Sequence, residues 1–235
     1  MQFGHLALGI ASVVLGVHHF SNAKKHLTRR AGDGLSFFDQ RAIDPRRATG
    51  RASTNTSNGR VTLTTYEVRN LQDRINRIRD LIEQGKRDPK VYLFARNAIN
   101  KKCGKNWCTP EKNNAAEIAA LFNAIRENVR YTSDIRGIDT YQKPPRTLEL
   151  GTADCDDYSS LACASLESLG IPCALKAIRT KGSPEWNHIY ALAGLPRARP
   201  TRWIPFDASV SMPVGWEAPR KMVAEARIFP MRRAA

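Results

Sequence analysis

"GTADCDDYSSLACASLESLGIPC", residues 151–173, sets Cys155 among three aspartates, directly before a run with helical spacing. With Asp154 as N-cap, Cys155 becomes the first helical residue. Asp156 and Asp157 then occupy the first turn, where acids complement the helix dipole and Asp157 completes a capping-box-like arrangement. Gly170 and Pro172 stop the helix near Leu169. Three chemistries remain open for Cys155: nucleophile, metal ligand or structural thiol. Neighbouring carboxylates raise a thiol pKa. A helix start opposes them, because its free N–H groups and partial positive charge lower a thiol pKa and also bind a developing oxyanion. Adjacent helical positions point in different directions, so the three aspartates do not converge on one cation. No metal and no cofactor are expected.

C-terminal to this helix, apolar segments near 173–179, 187–193 and 202–207 are separated by the turn-rich stretches "TKGSPEW" and "GLPRARP". This pattern predicts a small antiparallel sheet packed on the preceding helices, an α+β fold. Of the five histidines, His5, His18, His19 and His26 lie near the N-terminus, and only His188 falls in this region. A Cys–His pair within the domain must use His188, at the start of a strand. Asp207, in "RWIPFDAS", ends the next strand and is placed to orient the imidazole.

On the N-terminal side, Val68, Leu71, Ile75, Ile78 and Ile82 form one apolar helical stripe that Gly85 ends. Asp88-Pro89 marks a second helix start. Ile118, Leu121, Phe122, Ile125 and Val129 mark a third helix. These stripes read as core. Residues 31–60 ("RATGRASTNTSNGR" within them) lack apolar periodicity and read as a flexible basic linker. The globular domain is thus expected over 61–235.

Residues 1–30 hold a 12-residue apolar run, "LALGIASVVLGV", followed by Lys24, Lys25, Arg29 and Arg30. The run is shorter than the roughly 20 residues of a spanning helix. An interfacial anchor or a helix buried against a partner subunit accounts for it. A cleaved signal is a further reading, since "SNA" at 21–23 resembles a cleavage site, but the basic residues follow the run instead of preceding it.

With 37 Lys and Arg against 22 Asp and Glu, the formal charge is +15, which favours an anionic surface or partner. Direct nucleic-acid binding fits the charge, but no nucleic-acid-reading motif accompanies it. Five cysteines (103, 108, 155, 163 and 173) form neither an even framework nor a CxxC pair, so a disulfide-stapled domain is not expected. Cys163 and Cys173 read as small core thiols. Cys103 and Cys108, in "CGKNWC", fit either a local disulfide or two free thiols.

The set "RYTSD" (130–134), "GTADCDDYSSLACASLESLGIPC" (151–173), "NHIYAL" (187–192) and "WIPFDAS" (203–209) resembles the transglutaminase-like superfamily of papain-type folds. The resemblance covers roughly residues 75–209. It implies a Cys-His-Asp site with Cys155 as nucleophile, His188 as general base and acid, and Asp207 as the orienting residue. The oxyanion would be held by the Cys155 N–H with a side-chain donor, Gln142, for which Tyr141 competes. Two departures from the family pattern stand out: Ala153 where glycine often precedes Asp-Cys, and Ala208-Ser209 where proline more often follows the aspartate.

The implied chemistry is acyl transfer through a thioester, released to water by a peptidase or amidase or to an amine by a cross-linking enzyme. Similar stand-alone domains occur in bacteria and phages, where they can be virion components acting on cell-wall peptides. A membrane- or virion-associated location is accordingly expected over a free cytoplasmic one. The alternative is a non-catalytic structural or adaptor subunit using the same fold, with the N-terminal arm and the positive charge making its contacts.

Overall fold

The computed structural model describes residues 51–56, 59–64, 68–134 and 139–231; the apolar N-terminal run lies outside them. The fold class is α+β. Strands β1 (Arg51–Thr56) and β2 (Gly59–Thr64) pair as an antiparallel hairpin, so regular structure begins inside the stretch expected as a linker. Helices α1 (Leu71–Gly85), α2 (Pro89–Ile99) and α3 (Asn114–Asn128) follow, with the short hairpin β3 (Lys102–Cys103) and β4 (Asn106–Trp107) between α2 and α3. Side chains of Asn70, Asp88 and Asn113 cap the three helices.

Strand β5 (Arg130–Tyr131), helix α4 (Pro144–Leu150) and strand β6 (Thr152–Ala153) lead into α5 (Cys155–Ser168). β5 and β6 pair in parallel, with Tyr131 opposite Ala153. Helix α4 was not legible as a helix: its two prolines are in the first turn, where a missing N–H costs nothing. Strands β7 (Cys173–Thr180), β8 (His188–Leu195), β9 (Arg202–Phe206) and β10 (Val223–Pro230) form one antiparallel sheet in the order β10-β7-β8-β9. β10 has no clean alternation to announce it and joins the sheet at its edge.

Helix α5 is the centre of the core. Every residue from Cys155 to Leu166 is buried, between α1–α4 on one side and the sheet on the other. Its Ser, Ala and Cys residues permit this close approach. At Gly85 of α1, a Cβ atom would meet Pro144 Cγ at 2.5 Å and Ala164 Cβ at 3.1 Å, so only glycine fits between α4 and α5. On β8, Ile189, Ala191 and Ala193 join the core with α5, while Tyr190 and Leu192 belong to a smaller cluster with Ala174 and Ile178. Period-two alternation on one strand thus supplies two apolar faces.

Two disulfides correct the cysteine reading. Cys103–Cys108 closes the β3–β4 hairpin, and Cys163 of α5 joins Cys173 of β7 across 5.4 Å between Cα atoms. The second pair was expected as separate core thiols. A spacing of ten residues carries no disulfide signature; the Gly170 turn, which folds β7 back along α5, brings the two together. Cys155 is left as the free cysteine.

Candidate active site

Asp154 caps α5 as the sequence suggests, its Oδ1 accepting the Asp157 N–H at 2.9 Å. The capping box does not close, because the Asp157 carboxylate accepts the Gln142 backbone N–H at 2.7 Å. That bond ties the loop before α4 to the helix start. Cys155 is 6% exposed. Its thiol donates to Asp156 Oδ1 at 3.6 Å, and the Ile189 backbone on β8 lies near enough to lower its pKa in part. The Ser159 hydroxyl lies 2.6 Å from the Cys155 carbonyl and 3.1 Å from that of Ile189, its proton shared between them. Helix start and strand start are therefore stitched together one residue from His188.

Across the sheet, His188 Nε2 and Asp207 Oδ2 are 2.6 Å apart. Ser209 holds the other carboxylate oxygen, its hydroxyl donating to Asp207 Oδ1 at 2.6 Å and its N–H at 3.2 Å. Burial disfavours the Asp207 charge, but His188 and Ser209 outweigh it and lower the carboxyl pKa. Burial likewise disfavours charged His188, and the Asp207 charge and hydrogen bond, with Asp156, raise its pKa nonetheless. With Nε2 committed to Asp207, Nδ1 is the ring nitrogen left for proton transfer. The Tyr190 ring stacks at 5.7 Å from the imidazole.

The sign expected for the thiol is reversed. Burial is the largest cause, and Asp156 and Asp154 add to it, so the Cys155 pKa stands well above that of an ordinary thiol; Arg74 and the Ile189 backbone only offset this in part. Burial also pushes Asp154 up to about 10, with Asp156 and Asp157 reinforcing it. The N-cap is thus a neutral carboxylic acid, hydrogen-bonded to Asp134, which in turn accepts from the Thr140 hydroxyl at 2.6 Å. Asp156, raised to about 6 by burial, has Arg74 Nε at 3.7 Å; Arg74 also pairs with Asp139. Asp157 is raised to about 7.

Gln142, expected as an oxyanion donor, is half-buried with its Nε2 3.4 Å from the Thr152 carbonyl. Tyr141 is beside Arg74 and Asp156. Sequence reasoning missed Arg74, which looks like any polar position of an amphipathic helix, and Ser159 and Ser209. Only Ser209 had a signal, the replacement of the usual residues after Asp207.

A cysteine at the buried start of a central helix, with a His–Asp pair on neighbouring antiparallel strands, defines a cysteine-based enzyme fold of the papain type. Residues 101–208 match the profile of the transglutaminase-like superfamily, and the matched segment carries Cys155, His188 and Asp207. Two solved structures are similar at low identity. A putative cysteine protease from Cytophaga hutchinsonii is 17% identical with a TM-score of 0.37, the match covering 77% of this chain and 71% of that one. A TGase is 15% identical with a TM-score of 0.35, covering 80% of this chain and 52% of that one. Neither TM-score reaches 0.5, so neither structure bears on activity. No curated protein sequence matches the chain.

Proposed function

We propose that the protein is a cysteine-dependent acyl-transfer enzyme acting on a peptide amide, with Cys155, His188 and Asp207 as its catalytic residues. The observation that carries this reading is the 2.6 Å His188–Asp207 pair, set one residue from Ile189, whose carbonyl is tied through the Ser159 hydroxyl to that of Cys155. Substrate entry moves the thiol proton to His188 Nδ1. The sulfur attacks the carbonyl carbon, a C–S bond forms, and the carbonyl electron pair moves onto oxygen beside the helix N-terminus. Collapse of this intermediate breaks the C–N bond as His188 protonates the amine, leaving a thioester. Water, activated by His188, then releases the acid, and peptidase or amidase outcome is preferred to cross-linking. Gln142 is proposed to donate to the oxyanion with the Cys155 N–H. The positive charge suits an anionic, polymer-rich setting such as a cell wall, and residues 1–30 would attach the domain to a membrane or a virion.

The test is alkylation of Cys155 by iodoacetamide near neutral pH, in wild type and in His188→Ala. Loss of imidazole assistance is expected to slow labelling at least tenfold; equal rates would sink the enzyme reading.

A second reading, a structural or adaptor subunit, is favoured by the burial of Cys155 and its raised thiol pKa. Cleavage of peptidoglycan-derived peptides by wild type but not by Cys155→Ala rejects it.

A further inference from the structure

Gln142 Nε2 faces the Thr152 carbonyl at 3.4 Å, and a second polar side chain, that of Tyr131, lies near Cys155. β5 runs parallel to β6 with Tyr131 in register with Ala153, and the Thr132 N–H bonds to the Ala153 carbonyl at 2.8 Å. The Tyr131 backbone is thereby fixed two residues from the helix start. Its ring lies nearly parallel to that of Tyr158, 16° between planes and 6.5 Å between centroids. Tyr158 is one turn along α5 from Cys155, and its own hydroxyl is anchored on the Val129 carbonyl. Backbone register and ring contact therefore hold the Tyr131 side chain beside the start of α5, within electrostatic reach of Cys155. It is 43% exposed, whereas Cys155 is 6% exposed.

We propose that the Tyr131 hydroxyl is a catalytic residue, donating a hydrogen bond to the oxyanion that forms when Cys155 attacks an acyl carbon. The proposal rests on the acyl-transfer reading above and adds a side-chain donor to the backbone N–H groups of the α5 N-terminus. The phenol keeps its proton throughout; only the carbonyl electron pair shifts, onto the oxygen. Burial, followed by the proximity of Cys155, Asp154 and Asp134, holds the Tyr131 pKa above that of an ordinary tyrosine, so the hydroxyl remains a donor across the working pH range. A tetrahedral oxyanion gains from such a donor more than the planar carbonyl does, which places the effect on the chemical step.

The test compares two reactions of the same sulfur in wild type and Tyr131→Phe. p-Nitrophenyl acetate acylates Cys155 through an oxyanion and expels nitrophenolate. Iodoacetamide alkylates it by displacement of iodide, with no oxyanion. Tyr131→Phe, which keeps the ring on Tyr158, is expected to slow acylation about 100-fold and to leave alkylation within about twofold of wild type. Unchanged acylation overturns the proposal, and so does an equal slowing of both reactions, which would make Tyr131 a packing residue. If nitrophenolate release from wild type persists in Cys155→Ala, the cysteine reading itself fails and the role of Tyr131 falls with it.

Discussion

Asp156→Asn should make Cys155 markedly more acidic. In the resting protein the carboxylate Oδ1 is 3.6 Å from the sulfur, and after burial it is the leading cause of the raised thiol pKa. Asp156 titrates at about 6, so it is already charged when the thiol begins to ionise. At an effective dielectric constant of about 20, two unit charges at the observed 3.6 Å repel by about 4.6 kcal/mol, or about 3 pH units. Arg74, 3.7 Å away, neutralises part of that charge and moves closer in effect to the sulfur once the carboxylate is gone. Both corrections keep the sign, and the alkylation midpoint of Cys155 is expected to fall by about one to three units. Iodoacetamide labelling rates followed by intact-mass spectrometry across the pH range supply the midpoint. A shift of less than about 0.3 unit, or a rise, would show that burial alone governs the thiol and would refute the electrostatic account.

Ser209→Ala removes the 2.6 Å bond that helps lower the Asp207 pKa, so the carboxylate becomes a more basic acceptor and the His188 pKa should rise; an unmoved imidazole titration by NMR refutes a positioning role for Ser209. Replacing both Cys163 and Cys173 by alanine opens a ten-residue loop, for which chain entropy gives a loss of about 2.7 kcal/mol in urea unfolding; a loss below about 1 kcal/mol contradicts this. Asp156 and Asp157, at about 6 and about 7 when folded, keep protons that the unfolded chain has released. Their contribution is full below the ordinary carboxyl range and is lost as the pH rises through those values, with Asp154 acting in the same sense up to about 10. Urea unfolding should therefore give higher stability at about pH 5 than at about pH 8, and the reverse order would be incompatible with a buried protonated cluster.

Much of the scaffold was legible because its signals are local. Asp88 and Asp154 sit at helix starts as short polar residues before apolar stripes, and "HIYAL" alternates as a strand with two buried faces must. What escaped depends on contacts distant in sequence. The Cys163–Cys173 bond needs α5 against β7, and strand β10, whose residues are mostly exposed, is held by pairing with β7 and not by burial. The site divides in the same way. His188 and Asp207 follow from their places on adjacent strands. Arg74 reaches Asp156 from a helix some eighty residues earlier, and nothing in its own neighbourhood marks it out.

The sign of the Cys155 titration was misread for a physical reason that also bears on mechanism. A helix N-terminus offers only about half a charge, while the same turn carries Asp154, Asp156 and Asp157, all buried. The turn meets this by keeping Asp154 protonated, giving Asp157 to the Gln142 N–H and giving Asp156 to Arg74. The aspartates thus build the helix start and at the same time hold the thiol neutral at rest. Ionisation then has to come from a change at the site, and the nearest lever is the Asp156 carboxylate, which touches the Cys155 thiol and also faces His188. A substrate that draws Asp156 away removes the principal repulsion on the thiolate while His188 takes the proton. On the acyl-transfer reading, reactivity is in this way tied to occupancy of the site, in keeping with a cysteine that is only 6% exposed.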